Sequence, residues 1–393
     1  MANKLATNTK VQLVAGAISD ELSYLKASVD KMSQADFAHK RFGKSYKLYL
    51  ADPGSVYEGL EAHPDEITEV ETEIFLTNHN TSCELDAWDD FNIDNFTDAV
   101  AKPRGKHLAR SIEQKYIKDN VYKNMQAVVS NTADFGVLSD SAAALGELAI
   151  SGEAVSFLHP TVMGKISKTG LANFLNPEDA KRLYGKNALG EYAGAWQTKN
   201  PLLPTLKTPA NLPSASITLV AVEDADGNTI GFEPVDSVSG SNLVAGIPYL
   251  VSDAYIVDQS GIATDQPVVV TVLNSDGAIP QLRVSIKDKG FNNPNAWVEA
   301  GTTEVTLTPM LEASTTYWVG QVRSSDAMCF SVYRFGDLPG SDNEMVQTVK
   351  QVSVKMSKYG EGNVLTKLVR LDCPTAGGIV DPRNCVGVYI KKA

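Results

Sequence analysis

The chain has 393 residues, of which 43% are hydrophobic, and a formal net charge of −12. This length and apolar content suffice for two or three compact cores and exclude a collagenous, disulfide-dense or wholly disordered protein. The longest apolar runs, such as residues 268–273, fall far short of the roughly 20 residues that span a bilayer, and residues 1–10 lack a signal-peptide core. No membrane or secretory role is therefore predicted. Four cysteines without a CxxC spacing favour reduced thiols over a disulfide framework or a zinc site.

Residues 1–92 predict a helix followed by an extended arm. Helical spacing runs from residue 10 to residue 32, and the apolar side of this helix consists of Val11, Val14, Ile18, Leu22, Leu25 and Val29. Residues 46–50 and 69–76 alternate apolar with polar side chains, as half-buried strands do. We therefore predict a hairpin-like arm over residues 41–92.

The arm is strongly acidic, and the segment after it is basic. Residues 48–101 contain 14 Asp and Glu residues and no Lys or Arg, so the rest of the chain carries a net charge of +2. The cations that follow are Lys102, Arg104, Lys106, Arg110, Lys115, Lys118 and Lys123. Such opposite charges favour pairing, within one subunit or between neighbours, and the alternative is a solvated acidic face. The candidate contact residues are Glu66, Glu69, Glu71, Glu73, Lys102, Arg104, Lys106 and Arg110.

A long helix is predicted from residue 103 to residue 129. Pro103 fits its first turn, and the only glycine in this stretch is Gly105. One apolar stripe consists of Leu108, Ala109, Ile112 and Tyr116, and a second, on roughly the opposite side, consists of Ile117, Val121, Met125 and Val128. Two stripes indicate a helix that is packed on both sides. The alternative is a long buried helix in an α+β enzyme.

The remaining chain predicts two short helices and many strands. Small residues at 139–149 favour a short helix, and Asn176-Pro177 has the pattern of a helix start that leads through residues 182–184. Prolines between residues 201 and 213 then break regular structure. Six strand-like runs follow, at residues 217–222, 247–252, 268–273, 282–286, 304–308 and 317–322, and they are typical of a small sandwich or barrel. Further strands are predicted at residues 328–335, 349–356, 365–371 and 385–390.

The sequence has no complete catalytic motif. HExxH, GxSxG and a full GxGxxG are all absent. Gly43-Lys44-Ser45 resembles the end of a phosphate loop but lacks the first glycine, and the acidic turn at residues 224–228 lacks the later calcium ligands. His63 and His79 could join carboxylates of the acidic arm on a metal, although solvated side chains are the favoured interpretation. We predict a non-enzymatic protein without cofactor or metal.

Three places in the sequence resemble a known family. They are residues 157–160 (Phe-Leu-His-Pro) with 174–180 (Phe-Leu-Asn-Pro-Glu-Asp-Ala), residues 239–257 around Ala245-Gly246-Ile247, and residues 367–371 (Lys-Leu-Val-Arg-Leu) through 381–388 (Asp-Pro-Arg-Asn-Cys-Val-Gly-Val). With the order of the predicted elements, they resemble the major capsid proteins of tailed bacteriophages, which have the Hong Kong 97-type fold. The likeness is closest to the coat proteins of the short-tailed Salmonella phage group, which carry an extra β-barrel insertion domain.

The resemblance implies an α+β capsid fold with an inserted all-β domain. Its parts would be residues 1–40 as an N-terminal arm with an amphipathic helix, 41–94 as an acidic extended loop, 95–135 as the spine helix of the peripheral domain, 136–213 as the first part of the axial domain, 214–323 as the β-barrel insertion domain, and 324–393 as closing strands of the axial and peripheral domains.

The resemblance also implies a structural role and a set of partners. Copies of the chain would form the hexamers and pentamers of an icosahedral shell, which encloses double-stranded DNA without sequence-specific contact. The expected further partners are a scaffolding protein and a portal, and the shell would be assembled in the host bacterial cytoplasm as part of the virion. A β-rich structural or adhesin protein and a hydrolase of unrecognised type remain as alternatives.

Overall fold

The structure is a computed structural model that describes most of the chain. The described residues are 2–28, 45–51, 69–86, 97–148, 153–170, 191–192, 194–223, 229–234, 243–258, 262–273, 284–286, 296–298, 304–332, 342–349, 352–359 and 366–392. Helices and strands are mixed within them, which confirms the α+β prediction. The chain divides into two compact units: unit 1 comprises residues 1–47, 73–117 and 328–378, and unit 2 comprises residues 48–72, 118–327 and 379–393. The domain limits that the resemblance implies stay predictions.

The described residues contain four α-helices. They are α1 (Ala2–Glu21), α2 (Lys102–Asn120), α3 (Phe135–Gly146) and α4 (Pro160–Gly170). None of these helices is long and apolar enough to cross a membrane. The helix predicted at residues 176–184 lies outside the described residues.

Unit 1 is built around a six-stranded sheet. Its strands are β1 (Ser45–Ala51), β2 (Glu69–Asp86), β16 (Met328–Val332), β17 (Asp342–Val349), β18 (Val352–Tyr359) and β19 (Thr366–Ile379). The order is β1-β2-β19-β18-β17, and β16 pairs with β19. Helix α1 packs on β17 and β18. The strand predicted at residues 349–356 corresponds to β18, which begins three residues later, at Val352; the strand that pairs with it, β17, was not predicted.

Strand β2 extends well past the predicted end at residue 76. Its second half contains Asn78, Asn80, Glu84 and Asp86, whose residue types are depleted in strands. Backbone pairing with β19 nevertheless continues from Leu76 opposite Ala376 to Asp86 opposite Thr366. Tertiary pairing therefore overrides the local preference of this segment.

The N-terminal helix has the predicted buried side but different limits. Val11, Val14 and Ile18 are fully buried, which confirms the predicted apolar stripe. The helix begins at Ala2 and ends at Glu21, instead of running from residue 10 to residue 32. It ends there because the carboxylate of Glu113 binds the backbone amides that follow, and a 3-10 turn comes next.

The long helix α2 ends nine residues before the predicted limit of 129. Its last carbonyl, that of Asn120, accepts hydrogen bonds from the Lys123 amide at 3.0 Å and from Gln321 Nε2 at 3.2 Å. Asn124 Nδ2 binds the Val121 carbonyl at 2.7 Å. These amides satisfy the carbonyls that are left without a partner at the helix end. The chain then continues as strand β3 (Gln126–Ser130), whose β-branched residues pair in parallel with the strand at residues 385–391.

Unit 2 contains a central seven-stranded sheet. Its strands are β3 (Gln126–Ser130), β4 (Ala154–Leu158), β5 (Glu191–Tyr192), β6 (Ala195–Lys199), β7 (Thr205–Lys207), β15 (Thr316–Ser324) and β20 (Cys385–Lys391). The order is β3-β20-β15-β4-β6-β5, and β7 pairs with β15. Helices α3 and α4 pack on one face through an apolar cluster that includes Val137, Leu138, Ile166, Val322 and Val388. Helix α3 begins at Phe135, earlier than predicted, because Asp134 caps it by accepting a hydrogen bond from the Val137 amide.

The β-rich segment forms a ring of strands within unit 2. Its strands are β8 (Ala215–Glu223), β9 (Thr229–Pro234), β10 (Pro248–Val257), β11 (Ala263–Thr271), β12 (Val284–Ile286), β13 (Ala296–Val298) and β14 (Glu304–Pro309). The order is β11-β10-β13-β12-β9-β8-β14, and β14 also pairs with β10. This last pairing closes six strands into a ring, which we call the barrel, and β11 pairs with the other edge of β10. The sixth predicted run, residues 317–322, belongs to the central sheet, because β15 pairs with β20 and β4.

Candidate assembly surface

Helix α2 presents its cations on one exposed face. The residues of this basic face, all exposed, are Lys102, Arg104, Lys106, Arg110 and Lys118. The face follows from the helical period: Leu108, Ile112 and Tyr116 are at most 3% exposed and lie on the buried side of the helix, and these cations lie on the other side. The exposed face carries a local concentration of positive charge in a chain whose overall charge is negative.

Three of these cations have carboxylate partners within the chain. Lys102 pairs with Asp98, one turn earlier, at 2.7 Å. Lys106 Nζ lies 3.0 Å from Glu21 Oε1, and Arg110 Nε lies 4.0 Å from Glu21 Oε2. The three cationic side chains are 53–66% exposed, so each pair contributes only about 0 to 1 kcal/mol. The pairs therefore leave the face available to a stronger partner.

The other predicted contact residues are placed unevenly. Arg104 Nη1 donates to the Thr81 hydroxyl of β2 at 3.4 Å. Glu73 lies on β2 with an exposed side chain. Glu69 and Glu71 lie on the same strand, in its first residues, and Glu66 lies outside the described residues. Within the described residues, the carboxylates paired with the basic face are thus Glu21 and Asp98, not those of the predicted set.

Glu113 is a buried carboxylate that the sequence analysis did not single out. It is 3% exposed and accepts hydrogen bonds from the Ser23 amide at 2.6 Å and from the Ser23 hydroxyl at 3.2 Å, and a further one from the Tyr24 amide. The sequence could have indicated the burial of Glu113, because it falls on the apolar side of the helix, between Ile112 and Tyr116. Glu113 thereby fixes the end of α1 on the buried side of α2.

The crossing of α1 and α2 depends on Gly105. A Cβ at this position would lie 2.9 Å from the Ala17 Cβ and 3.3 Å from the Val14 carbonyl oxygen. Only a residue without a side chain allows this approach of the two helices. The crossing places Glu21 beside Lys106 and Arg110, and so it sets the charge balance of the basic face.

A polar layer separates α2 from strands β2 and β19. Lys115 Nζ donates to the Thr77 hydroxyl at 2.8 Å, and the hydroxyls of Tyr116 and Thr375 are hydrogen-bonded at 2.8 Å. The ring of His79 lies 6.3 Å from that of Tyr116. Burial, and then the charge of Lys115, lower the pKa of His79 to about 4. The imidazole is therefore neutral near pH 7.

The described residues provide no metal centre. No group of three or more His, Cys, Asp or Glu side chains among them is arranged to hold an ion. The sequence analysis considered His79 as a ligand. In the structure it lies on β2 directly beside Cys373, its paired residue on the neighbouring strand β19. Burial, and then Asp372, raise the pKa of the Cys373 thiol to about 12. His63, the other histidine considered, lies outside the described residues.

No protein-family model matches the sequence, and no curated protein matches it. Several solved structures are similar over most of the chain. The capsid of Ralstonia phage GP4 is 7% identical, with 93% of this chain and 87% of that chain covered and a TM-score of 0.47. The capsid of the cyanophage P-SCSP1u is 11% identical, with coverages of 93% and 86% and a TM-score of 0.46. The virus-like particle from Pyrococcus furiosus is 9% identical, with coverages of 97% and 97% and a TM-score of 0.42.

Proposed function

We propose that this chain is the major capsid protein of a tailed bacteriophage, with a Hong Kong 97-type fold. Copies of it assemble into the hexamers and pentamers of an icosahedral shell that encloses double-stranded DNA. The observation that carries the proposal is the order of the elements along the chain. A helical N-terminal segment, a long extended strand, a long helix and a helix-covered sheet come first; the long helix is buried on one face, because the second predicted stripe lies mostly beyond its end at Asn120. A small barrel then interrupts this sheet, and strands β19 and β20 close the two units.

The position of the barrel supports the likeness to coat proteins with an insertion domain. Strands β7 and β15, which pair with each other, stand immediately before and after it in the chain. The barrel is therefore an excursion between two paired strands, one of which, β15, lies in the interior of the central sheet. An element inserted in this way can be added to a shell protein without changing the sheet on which it stands. The likeness to the short-tailed Salmonella phage group in particular rests on the sequence resemblance given above.

The basic face of α2 is the proposed contact between neighbouring copies. The acidic tract at residues 48–101 holds 14 carboxylates and no cation, so it is stabilised by positive charge from outside itself. A lattice brings a neighbour to every copy, and the exposed cations of α2 carry only weak internal pairs. We assign Glu66, Glu69, Glu71 and Glu73 of one copy to this contact. Their partners in the next copy are Lys102, Arg104, Lys106 and Arg110.

The remaining partners follow from the proposed role. The further partners that we propose are a scaffolding protein and a portal, and the packaged DNA contacts the shell without sequence recognition. Assembly takes place in the host bacterial cytoplasm, and the product is a virion component. The work is geometric, so the proposal includes no catalytic residue and no cofactor.

Sedimentation of the purified full-length chain tests the proposal. A shell protein forms capsomers or larger closed species as its concentration rises, and these sediment far faster than a 42.3 kDa monomer. Addition of a crowding agent should increase the large fraction, because assembly buries surface. A chain that stays monomeric at every concentration, with and without the crowding agent, would contradict the proposal.

A further inference from the structure

The barrel is joined to the rest of unit 2 by a short, hydrogen-bonded neck. The chain enters the barrel just after Thr208 and leaves it just before Thr315. The backbone amide of Thr208 donates to the Thr315 carbonyl at 2.8 Å, and the Thr208 hydroxyl accepts from the Thr315 amide at 2.8 Å. That hydroxyl also donates to the Glu312 carbonyl at 2.7 Å. Thr208 is 2% exposed, so this neck is a fixed point of the barrel.

A second contact lies away from the neck, at the end of strand β10. Arg383 Nη1 donates to the Asp258 carbonyl at 3.1 Å and lies 3.4 Å from the Val257 carbonyl. The other edge of the guanidinium binds Asp381, with Nε at 3.0 Å from Oδ1 and Nη2 at 2.8 Å from Oδ2. Arg383 and Asp381 are 8% and 6% exposed. One buried side chain thus connects the turn before β20 to the barrel backbone.

Further polar groups lie in this contact, in addition to the apolar approach of Leu206 and the Tyr122 ring to Gly246. The Val269 amide of β11 donates to the Met125 carbonyl, next to β3, at 2.9 Å. The buried hydroxyls of Thr271 and Tyr389 meet there without a hydrogen bond of standard geometry. Polar contacts of this kind are typical of interfaces between parts of a chain that move relative to each other. The barrel, by contrast, closes on itself through continuous strand pairing.

We infer that Arg383 is a latch that fixes the orientation of the barrel on the central sheet. Its planar fork binds the Asp381 carboxylate on one side and main-chain carbonyls of the barrel on the other, which a lysine ammonium cannot do at the same time. Opening the latch frees the barrel to rotate about the neck at Thr208, while the barrel and the central sheet both stay folded. The inference is independent of the proposed shell, because it concerns a single copy of the chain.

The double substitution D381N with R383M opens the latch without leaving a buried charge unpaired, which keeps the effect on stability small. The measurement is the distance between two spin labels, in a C83S background, at exposed positions Asp265 of the barrel and Lys168 of α4. We expect one narrow distance distribution in the unsubstituted protein and a broad one in the double variant. Amide hydrogen exchange in the turn before β20, which contains residues 381 and 383, should also become at least about tenfold faster in the variant. Identical narrow distributions would overturn the inference.

Strand β19 offers a matched control. Arg370 and Asp372 form a pair two residues apart, with Nε at 2.9 Å from Oδ1, and they lie in unit 1. The double substitution R370M with D372N should leave the label distances unchanged, and a broadening equal to that of the latch variant would also overturn the inference. If the latch variant fails to fold, R383K provides the same test: a broadened distribution supports the latch, and an unchanged one contradicts it.

Discussion

The chain contains two helix-covered sheets that are held together in different ways. Helices α3 and α4 pack on the central sheet of unit 2 through aliphatic side chains such as Ile166, Val322 and Val388. In unit 1 the layer between α2 and strands β2 and β19 is partly polar, with His79, Lys115 and the hydrogen-bonded hydroxyl of Tyr116 in it. The aliphatic layer is stabilised by packing, which pH and salt barely change. The polar layer adds specific hydrogen bonds, and it makes unit 1 sensitive to protonation.

The largest expected effect comes from placing a charge inside unit 1. Ile112 of α2 is fully buried, so an Asp there would be a charge in a buried position. An uncompensated buried charge costs several kcal/mol, about 3 to 5, which is a large part of the stability of most domains. We expect I112D to be insoluble or unfolded on expression and S111D, one residue earlier on the exposed side, to be soluble. Soluble, cooperatively melting I112D protein would show that the helix is not packed as described.

A cavity in the aliphatic layer should have the next largest effect. Ile166 of α4 is fully buried among apolar side chains of the central sheet. We expect I166A to lower the free energy of unfolding by about 2 to 5 kcal/mol, since it loses packing and leaves a void. The loss should be the same from pH 5 to pH 8, because no titrating group is involved. Chemical denaturation measures it, with K168A on the exposed side of α4 as the control, and a loss that varies with pH would contradict the comparison.

The polar layer should respond to acid where the aliphatic layer does not. The pKa of His79 is about 4 in the folded state, below its ordinary value of 6.5, so between these values the unfolded chain binds more protons. The free energy of unfolding therefore falls as the pH drops from 6.5 to about 4, and the fall stops below the folded pKa. The partly exposed ring limits this contribution to at most about 2 kcal/mol.

The variant H79Q should remove this part of the pH dependence. Denaturation at a series of pH values measures it, and the exposed His107 of α2 provides the control variant H107Q. If the acid dependence of H79Q equals that of the unsubstituted protein, then His79 does not carry the sensitivity of this layer.

The smallest effect per residue is expected on the exposed face of α2. Reversal of the four glutamates of the proposed contact, Glu66, Glu69, Glu71 and Glu73, to Lys should weaken assembly more than it destabilises the folded monomer. Each exposed pair contributes only about 0 to 1 kcal/mol, but a shell repeats the contact in every copy. Salt screens such pairs over a Debye length of about 8 Å, so raised salt should reduce assembly of the original protein more than that of the variant.

Four exposed acids elsewhere in the chain provide a control with the same change in net charge. They are Asp140, Glu147, Asp265 and Glu304. Their reversal to Lys should leave assembly and its salt dependence close to those of the original protein. Light scattering during assembly compares the three proteins. Equal yields and equal salt dependence for all three would mean that the acidic arm is merely solvated.

The sequence predicted the buried stripes better than the ends of the helices. Residues such as Val14 in α1 and Ile112 in α2 are buried because helical periodicity directly reflects which side faces a core. The end of α2 at Asn120 depends on Gln321, which is 201 residues away, and no local pattern carries that information. The same limit applies to β15, which belongs to the central sheet through its pairing with β20.

The candidate site was predictable in part for the same reason. The cations of the basic face could be identified because charged residues within a helical segment usually lie on its exposed side. All five cations of this face are exposed in the structure. Their pairing with Glu21 could not, because it follows from the crossing of two helices at Gly105. The helical period indicates that Glu113 is buried. No sequence pattern indicates the contact of Arg383 with the barrel, because its partners there are backbone carbonyls.

Electron microscopy of the purified protein, imaged alone and after co-expression with the scaffolding protein of the same phage genome, tests the central claim most directly. The account predicts closed shells with icosahedral symmetry, built from five-fold and six-fold capsomers, into whose repeating unit the fold described above fits. Dispersed single molecules or open β-rich filaments in both samples, without any closed shell or capsomer, would contradict it.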